Sequence, residues 1–287
     1  MKPERPNLLR IYIINQTFHW LIAGLVFPVL ILFILQKGLD IFEASLVLSG
    51  YSIATIALEL PTGGLSDAIG RKRVYLLSLA VMFIGYVLIV LVDGFVLTFI
   101  AAAVLGAARA LSSGSIEAWF IDEYTKFNAN GNLQHALARA GAFFPLGIGL
   151  GSLLGGAIPA LASSTSSDMF GNPFALNFVL AAGLVLLQVA MTILMIEEIR
   201  HPSSKGTILE GVRSTPKQIA ISVELGLRNP ITRLLIIAFM VLGFAFFSVE
   251  LLWQPRVSEI IGESSGTWVL GVLAAAYFLA TSLGNLV

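Results

Sequence analysis

Residues 58–74 read L-E-L-P-T-G-G-L-S-D-A-I-G-R-K-R-V. Between two long apolar runs they crowd a glutamate, a proline, a glycine pair, one aspartate and three consecutive cations, Arg71, Lys72 and Arg73. A water-exposed loop has no need of that sequence. A short turn clamped between two membrane helices does: glycine lets the backbone turn tightly, and the cations hold the turn to one side of a bilayer.

Composition points the same way. The 287 residues are 57% hydrophobic and 12% charged, with a mean hydropathy of +0.89. Soluble domains carry roughly 25% charged residues, about twice the share here. Seventeen acids balance seventeen Lys and Arg, so no basic field argues for a nucleic-acid partner. The absence of cysteine removes disulfides, thiolate chemistry and Cys-based metal sites together. Three histidines without close spacing offer no His-based site, so neither a metal nor a bound cofactor is expected. The apolar run that starts at Ile11 is too long for a signal-peptide core and reads as a retained first span.

Crossing the hydrocarbon takes about 20 mostly apolar residues in a helix. Eight segments qualify: 11–35, 44–66, 74–92, 95–120, 136–161, 174–196, 231–254 and 267–287. No segment alternates with period two, so a barrel is not expected. With a cytoplasmic N-terminus, 14 cations fall on the inner side, against Lys37 and Arg256 outside and Arg109 within the membrane. Cation bias sets orientation. The expected protein is therefore all-α and multi-pass, in a cell (inner or plasma) membrane, with the bilayer as its environment. The stretch 162–173, with its S-S-T-S-S-D run, reads as an outer loop. In the long inner interruption, Thr215-Pro216 resembles a helix start. Ile219, Val223 and Leu227 then suggest an amphipathic helix on the membrane surface, with a solvated linker as the alternative.

The chain also matches itself at an offset of 226 residues. Leu8, Leu9, Ile11, Phe18, Leu25 and Ile34 fall on Leu234, Leu235, Ile237, Phe244, Leu251 and Ile260; Tyr51, Ala54, Thr55 and Leu60 fall on Tyr277, Ala280, Thr281 and Leu286. Spans one and two thus recur as spans seven and eight, and two similar halves joined by a long inner loop are a transporter pattern. The implied division is 1–196 as a six-helix bundle, 197–230 as a cytoplasmic linker and 231–287 as the start of a second bundle. The counterpart of Asp67 would be residue 293, past Val287, so a truncated chain is expected, with a genuine eight-span protein as the rival.

The stretch G-G-L-S-D-A-I-G-R-K-R from Gly63 resembles the signature between helices 2 and 3 of the major facilitator superfamily, roughly G-x-L-x-D-x-x-G-R-[RK]. Gly63, Leu65, Asp67, Gly70, Arg71 and Lys72 match; Ala68 departs, where a cation is common. The E-L-P-T-G lead-in and the S-S-G-S-I-E-A-W-F-I-D-E stretch of span four resemble a broad prokaryotic, drug-efflux-like branch. The resemblance implies two six-helix bundles around a central cavity, with segments 1, 4 and 7 lining it and 2, 5 and 8 at the bundle interface. It also implies that Asp67 meets a helix of the second half and holds the inner gate shut.

Read physically, Asp67 suits a pair with Arg71 or the N-terminal dipole of a facing helix, and Arg71 can also reach Asp122. Ionisable residues at membrane depth are costly and usually mark pathways or relays; His19, Glu59, Arg109, Glu117 and Glu250 qualify. Tyr51, Thr55 and Glu59 form one polar stripe, and Arg109, Ser113 and Glu117 another. The expectation is that Arg109 faces the cavity and meets Glu59, a substrate anion or both, with a static buried ion pair as the alternative. Superfamily antiporters often carry a glycine four residues after an Arg in span four. Here Ser113 stands at that position and Gly114 follows, which weakens a proton-relay role for Arg109. Glu250 reads as interfacial and His19 as a hydrogen-bonded wall residue. Small residues recur every four positions through Gly106 and Gly114, and through Gly147, Gly151 and Gly155, allowing close helix contact; the family pattern puts the second stripe at the bundle interface.

These features describe a carrier of a small solute, not an enzyme, working as a monomer by alternating access. Proton coupling suits Glu59, Glu117 and His19, and no G-x-x-x-x-G-K-[ST] loop is present to bind a nucleotide. A receptor or assembly protein on the same scaffold, or an inactive fragment of a carrier, are the alternatives.

Overall fold

The computed structural model describes residues 7–128, 131–198, 224, 226, 228–262 and 266–285. The amphipathic helix expected at Ile219, Val223 and Leu227 lies outside these residues. Among those described, the regular elements are helices (α) and one 3₁₀ turn. Span one is α1 (Leu8–Val26), a 3₁₀ turn (Phe27–Val29) and α2 (Leu30–Leu35). Spans two and three are α3 (Ile41–Ile69) and α4 (Arg71–Leu91). Span four is α5 (Phe95–Ser113) and α6 (Ile116–Phe127), and spans five and six are α7 (Leu133–Phe170) and α8 (Ala175–Met195). Spans seven and eight are α9 (Pro230–Ile261) and α10 (Trp268–Gly284). Among the described residues, seven spans are long and apolar enough to cross a membrane, and α10 is apolar over 17 residues.

Helix ends follow local chemistry. Asp40 caps α3 by accepting from the Glu43 N–H at 2.8 Å, while the Glu43 carboxylate accepts from the Asp40 N–H at 3.1 Å, a reciprocal capping box. Asn132 caps α7 through the His135 N–H, and Asn229 caps α9 just before Pro230. Lys37 follows α2 and donates from Nζ to the Val92 C=O at 2.6 Å, just past the end of α4.

Three boundaries differ from expectation. Residues 58–74 are mostly helix: α3 runs through Pro61, Gly63 and Gly64 to Ile69, and only Gly70 turns. Neighbouring helices and side-chain hydroxyls satisfy backbone groups freed by a membrane-helix proline, so Pro61 does not stop the helix. Span four breaks at Gly114-Ser115, where the Ser115 hydroxyl donates to the Leu111 and Ser112 carbonyls and competes with the backbone ladder. Residues 162–173 are not a loop as expected; α7 continues to Phe170 with a kink at Ala162 and closes on Gly171 in the left-handed conformation. The Ser166 hydroxyl, which donates to the Asn172 C=O at 2.7 Å, ties that polar end down.

The core lies among spans one, three, four and six. Tyr12 stacks on Phe120 with ring centroids 4.4 Å apart, and Phe33 meets Phe178 at 4.2 Å. Spans two and four are joined by hydroxyls: Thr55 donates to the Gly106 C=O at 3.1 Å, Thr62 to Ala110 at 3.0 Å and Ser66 to Gly114 at 3.2 Å. Each such bond between membrane helices contributes about 0.6 kcal/mol.

Candidate functional site

The turn after α3 assembles most of the expected signature. Gly70 has φ +106°, and a Cβ there would lie 2.8 Å from Glu198 Oε2, so both backbone and space require glycine. The Glu198 carboxylate accepts from the Arg71 N–H at 2.6 Å and the Lys72 N–H at 3.2 Å. It thereby caps α4, whose first amides have no partner within the helix and whose N-terminal dipole favours an anion. The Arg71 guanidinium reaches Asp67 at 2.7 Å, Asp122 at 3.3 Å and the Ser66 hydroxyl at 2.6 Å. Gly63 lies against Gly114, where a Cβ would sit 3.6 Å from the Gly63 Cα. Glu198 is missed by sequence reading, because a lone acid after a span gives no sign of which helix end it meets.

A cavity of about 520 Å³ opens between spans on both sides of the linker. Its walls are mainly apolar, and Arg109 of α5, Glu250 of α9 and His19 of α1 are among the residues that line it. The Arg109 guanidinium lies over Trp20, 5.2 Å from the ring centroid, a cation–π contact that holds the charge without neutralising it. Among the described residues, neither Arg109 nor Glu250 takes part in an ion pair. Arg109 does not meet Glu59. Glu59 is exposed on α3 and lies 3.4 Å from the Ser113 hydroxyl. The four-residue stripe put them together on paper, but their helices turn them to different surroundings. Glu117 is also exposed, past the break in span four. Glu250, expected at the interface, lines the cavity instead, because α9 continues to Ile261 and carries position 250 away from a helix end. The offset repeat held one signal: Glu250 is the counterpart of Gly24, which lies deep in span one.

Beside the cavity runs a buried polar network. The Tyr75 hydroxyl donates to Asn15 Oδ1 at 2.8 Å and accepts from Gln188 at 2.8 Å and Gln16 at 3.2 Å; Asn15 donates to Thr192 at 3.0 Å. His19 borders both network and cavity, and its Nδ1 is buried without a partner. The place on the wall beside Asn15 and Gln16 is the expected one, but among the described residues the Nδ1 does not make the hydrogen bond expected of it.

The small-residue stripes sort differently from the family pattern. Gly106 faces the Tyr51 carbonyl of span two. Gly147, Gly151 and Gly155 face Thr17, Leu21 and Leu25 of span one, within the first six spans, and not the bundle interface the family pattern implies. The residues that meet span eight lie on a neighbouring face: a Cβ on Gly156 would sit 2.7 Å from the Gly271 Cα, and Thr267 donates to the Gly156 C=O at 2.8 Å. A 38-residue helix carries two small faces, and the more regular one is not the one turned to span eight.

The sequence model of the Major Facilitator Superfamily matches residues 12–287. The chain belongs to the major facilitator superfamily. It is a multi-pass membrane protein of that fold. No curated protein matches it in sequence. Solved structures share the fold. One is described under substrate recognition in proton dependent oligopeptide transporters, with TM-score 0.57, 18% identity, and coverage of 85% of this chain and 55% of the other. Another is a bacterial homologue of the human drug peptide transporters, with TM-score 0.59, 17% identity, and coverage of 86% and 56%. The chain thus spans about half the length of these superfamily structures.

Proposed function

We propose that this protein is a secondary active carrier that moves a small amphiphilic solute by alternating access. The observation that carries the reading is the cavity: apolar walls from both sides of the linker, with a cation and a carboxylate that have no ion-pair partner among the described residues. Ligand sites are mostly apolar pockets with a few placed polar groups, and an uncompensated charge at membrane depth marks a pathway. Arg109 suits the anionic group of a solute, Glu250 a cationic one, and Trp20, Phe27 and Phe247 its apolar body. Drugs and metabolites of that shape fit, and so do small peptides, which the oligopeptide transporters bring as a candidate class.

Proton coupling is part of the proposal, with His19 and Glu250 as titratable groups at the cavity; Glu59 and Glu117 lie outside it. Residues 1–196 act as one bundle, 197–230 as the linker and 231–287 as part of the second bundle. The N-terminus is cytoplasmic, the membrane is the inner or plasma membrane, and the carrier works as a monomer. The Asp67–Arg71–Asp122 cluster is the first bundle's side of the inner latch, and the carrier moves solute outward.

The test is counterflow in vesicles holding the full chain, against cationic, anionic and zwitterionic amphiphiles, with and without a pH gradient. A hydrogen bond to a charged group contributes about 1.5–3 kcal/mol, so Arg109→Ala should slow flux roughly tenfold or more. Glu250→Gln should flatten the dependence on pH. Solute binding without flux across the whole panel would point instead to a receptor on the same scaffold.

A further inference from the structure

Span one is interrupted at Phe27–Val29, where Pro28 supplies no N–H. Such an interruption frees backbone groups, and lipid offers them no partner. Two side chains take them up. Asn177 of α8 donates to the Leu25 C=O at 2.7 Å. Gln254 of α9 does more: its Oε1 accepts from the Ile31 N–H at 3.1 Å, and its Nε2 donates to the Phe27 C=O at 2.7 Å. An unbroken α-helix joins those two groups to each other, N–H of residue i to C=O of i−4. The carboxamide stands in place of that bond, with Gln254 only 2% exposed. Phe27 stacks on Trp253 at 6.1 Å beside it and meets Phe278 edge-on at 5.2 Å. Phe27, Ile31, Gln254 and Phe278 all line the cavity. They lie toward the end away from Arg71, since Lys37, just past α2, reaches the far end of the helix that Arg71 begins.

We propose that Gln254 is a gating residue: its carboxamide holds the interrupted form of span one and so keeps the cavity shut at the end opposite Arg71. The proposal rests on the carrier reading. When α9 withdraws, the Ile31 N–H and Phe27 C=O face one another and bond directly, while the freed carboxamide turns to water in the opened cavity. The Ile31 N–H and the Phe27 C=O have a partner in either state, which lets the element have two arrangements of similar free energy. A carboxamide suits the task because one uncharged planar group offers both a donor and an acceptor. A glutamate in its ionised form keeps the acceptor and loses the donor.

The chain has no cysteine, so Ser52→Cys in the cavity wall reports access without background. The full chain in sealed vesicles is exposed to a membrane-impermeant maleimide from each face in turn. Gln254→Leu should raise labelling from the face opposite Arg71 roughly tenfold, as expected for the loss of two hydrogen bonds, with Gln254→Glu in between. Pro28→Ala, which restores the missing N–H, should raise it with Gln254 in place. Unchanged labelling in Gln254→Leu overturns the proposal; if that variant does not fold, unchanged labelling in Pro28→Ala does so. Flux measured on the same vesicles separates the two readings. Labelling that shifts without any flux keeps the gate and removes the carrier, and flux with unshifted labelling does the reverse.

Discussion

Spans one and seven are related by the offset of 226 residues and are equally apolar, yet among the described residues span one is covered and span seven is not. In the most apolar stretch of span one, 56% of residues are buried; in that of span seven, 0%. Span one is enclosed by spans five and six and carries the polar residues of a network, Asn15, Gln16 and His19. Span seven exposes Phe239, Met240 and Phe244 and is held near one end, at Trp253 and Gln254. The contrast shows what hydropathy measures in a membrane protein. Lipid tails are as apolar as leucine, so a greasy residue reports that it avoids water, not what covers it. Small and polar residues tell which face meets a helix, and span one has far more of them at the contact.

Matched substitutions test that contrast, and the largest effect should come from glycine. A Cβ on Gly24 would overlap the Ile148 carbonyl of span five, whereas one on Gly243 of span seven meets nothing within 4 Å. Gly24→Val should destabilise the protein by about 1–3 kcal/mol or more, as overpacking does. Gly243→Val should stay within about 0.5 kcal/mol of the parent, as substitutions away from packed features do. Thermal unfolding in detergent reads both, and equal losses would break the comparison.

Polar residues come next. Asn15→Leu removes partners from Tyr75 and Thr192 in a buried site and should cost about 1–3 kcal/mol. Ser248→Ala in span seven removes only a bond to its own helix, at the Phe244 C=O, and should leave the melting temperature unchanged. A loss at Ser248 as large as that at Asn15 would mean that span seven is packed more closely than its exposure indicates.

The smallest effect is expected at the charged turn. Asp67 and Asp122 have side chains 61% and 60% exposed, so water screens their pairing with Arg71. Asp67→Asn should cost about 0–1 kcal/mol in stability. Under the carrier reading it should still slow flux, because the latch acts on a conformational equilibrium and not on folding. Glu59→Gln should alter neither flux nor its pH dependence, since Glu59 lies outside the cavity.

Much of this was legible in the residues. Apolar length placed seven spans and an eighth, shorter apolar helix among the described residues, and Asp67, Gly70 and Arg71 of the signature meet Asp122 at adjoining helix ends, where small errors of rotation matter little. The cavity was less legible. Arg109 and Glu59 looked like partners because each follows a four-residue stripe, but a stripe fixes a face only relative to its own helix, and the rotation of α5 against α3 is set by Gly106 on Tyr51 and the Thr62–Ala110 bond. Glu250 and Gln254 were hidden by a boundary: expected near the end of span seven, they lie within a helix that continues to Ile261.

The cap that Glu198 places on α4 has a mechanical corollary. Glu198 stands three residues past the end of α8, so it ties the end of the first six spans to the charged turn. The fastening is made to backbone amides at Arg71 and Lys72, which every residue but proline possesses. Stripping the cations from the turn would therefore silence its charges while leaving the Glu198 cap in place.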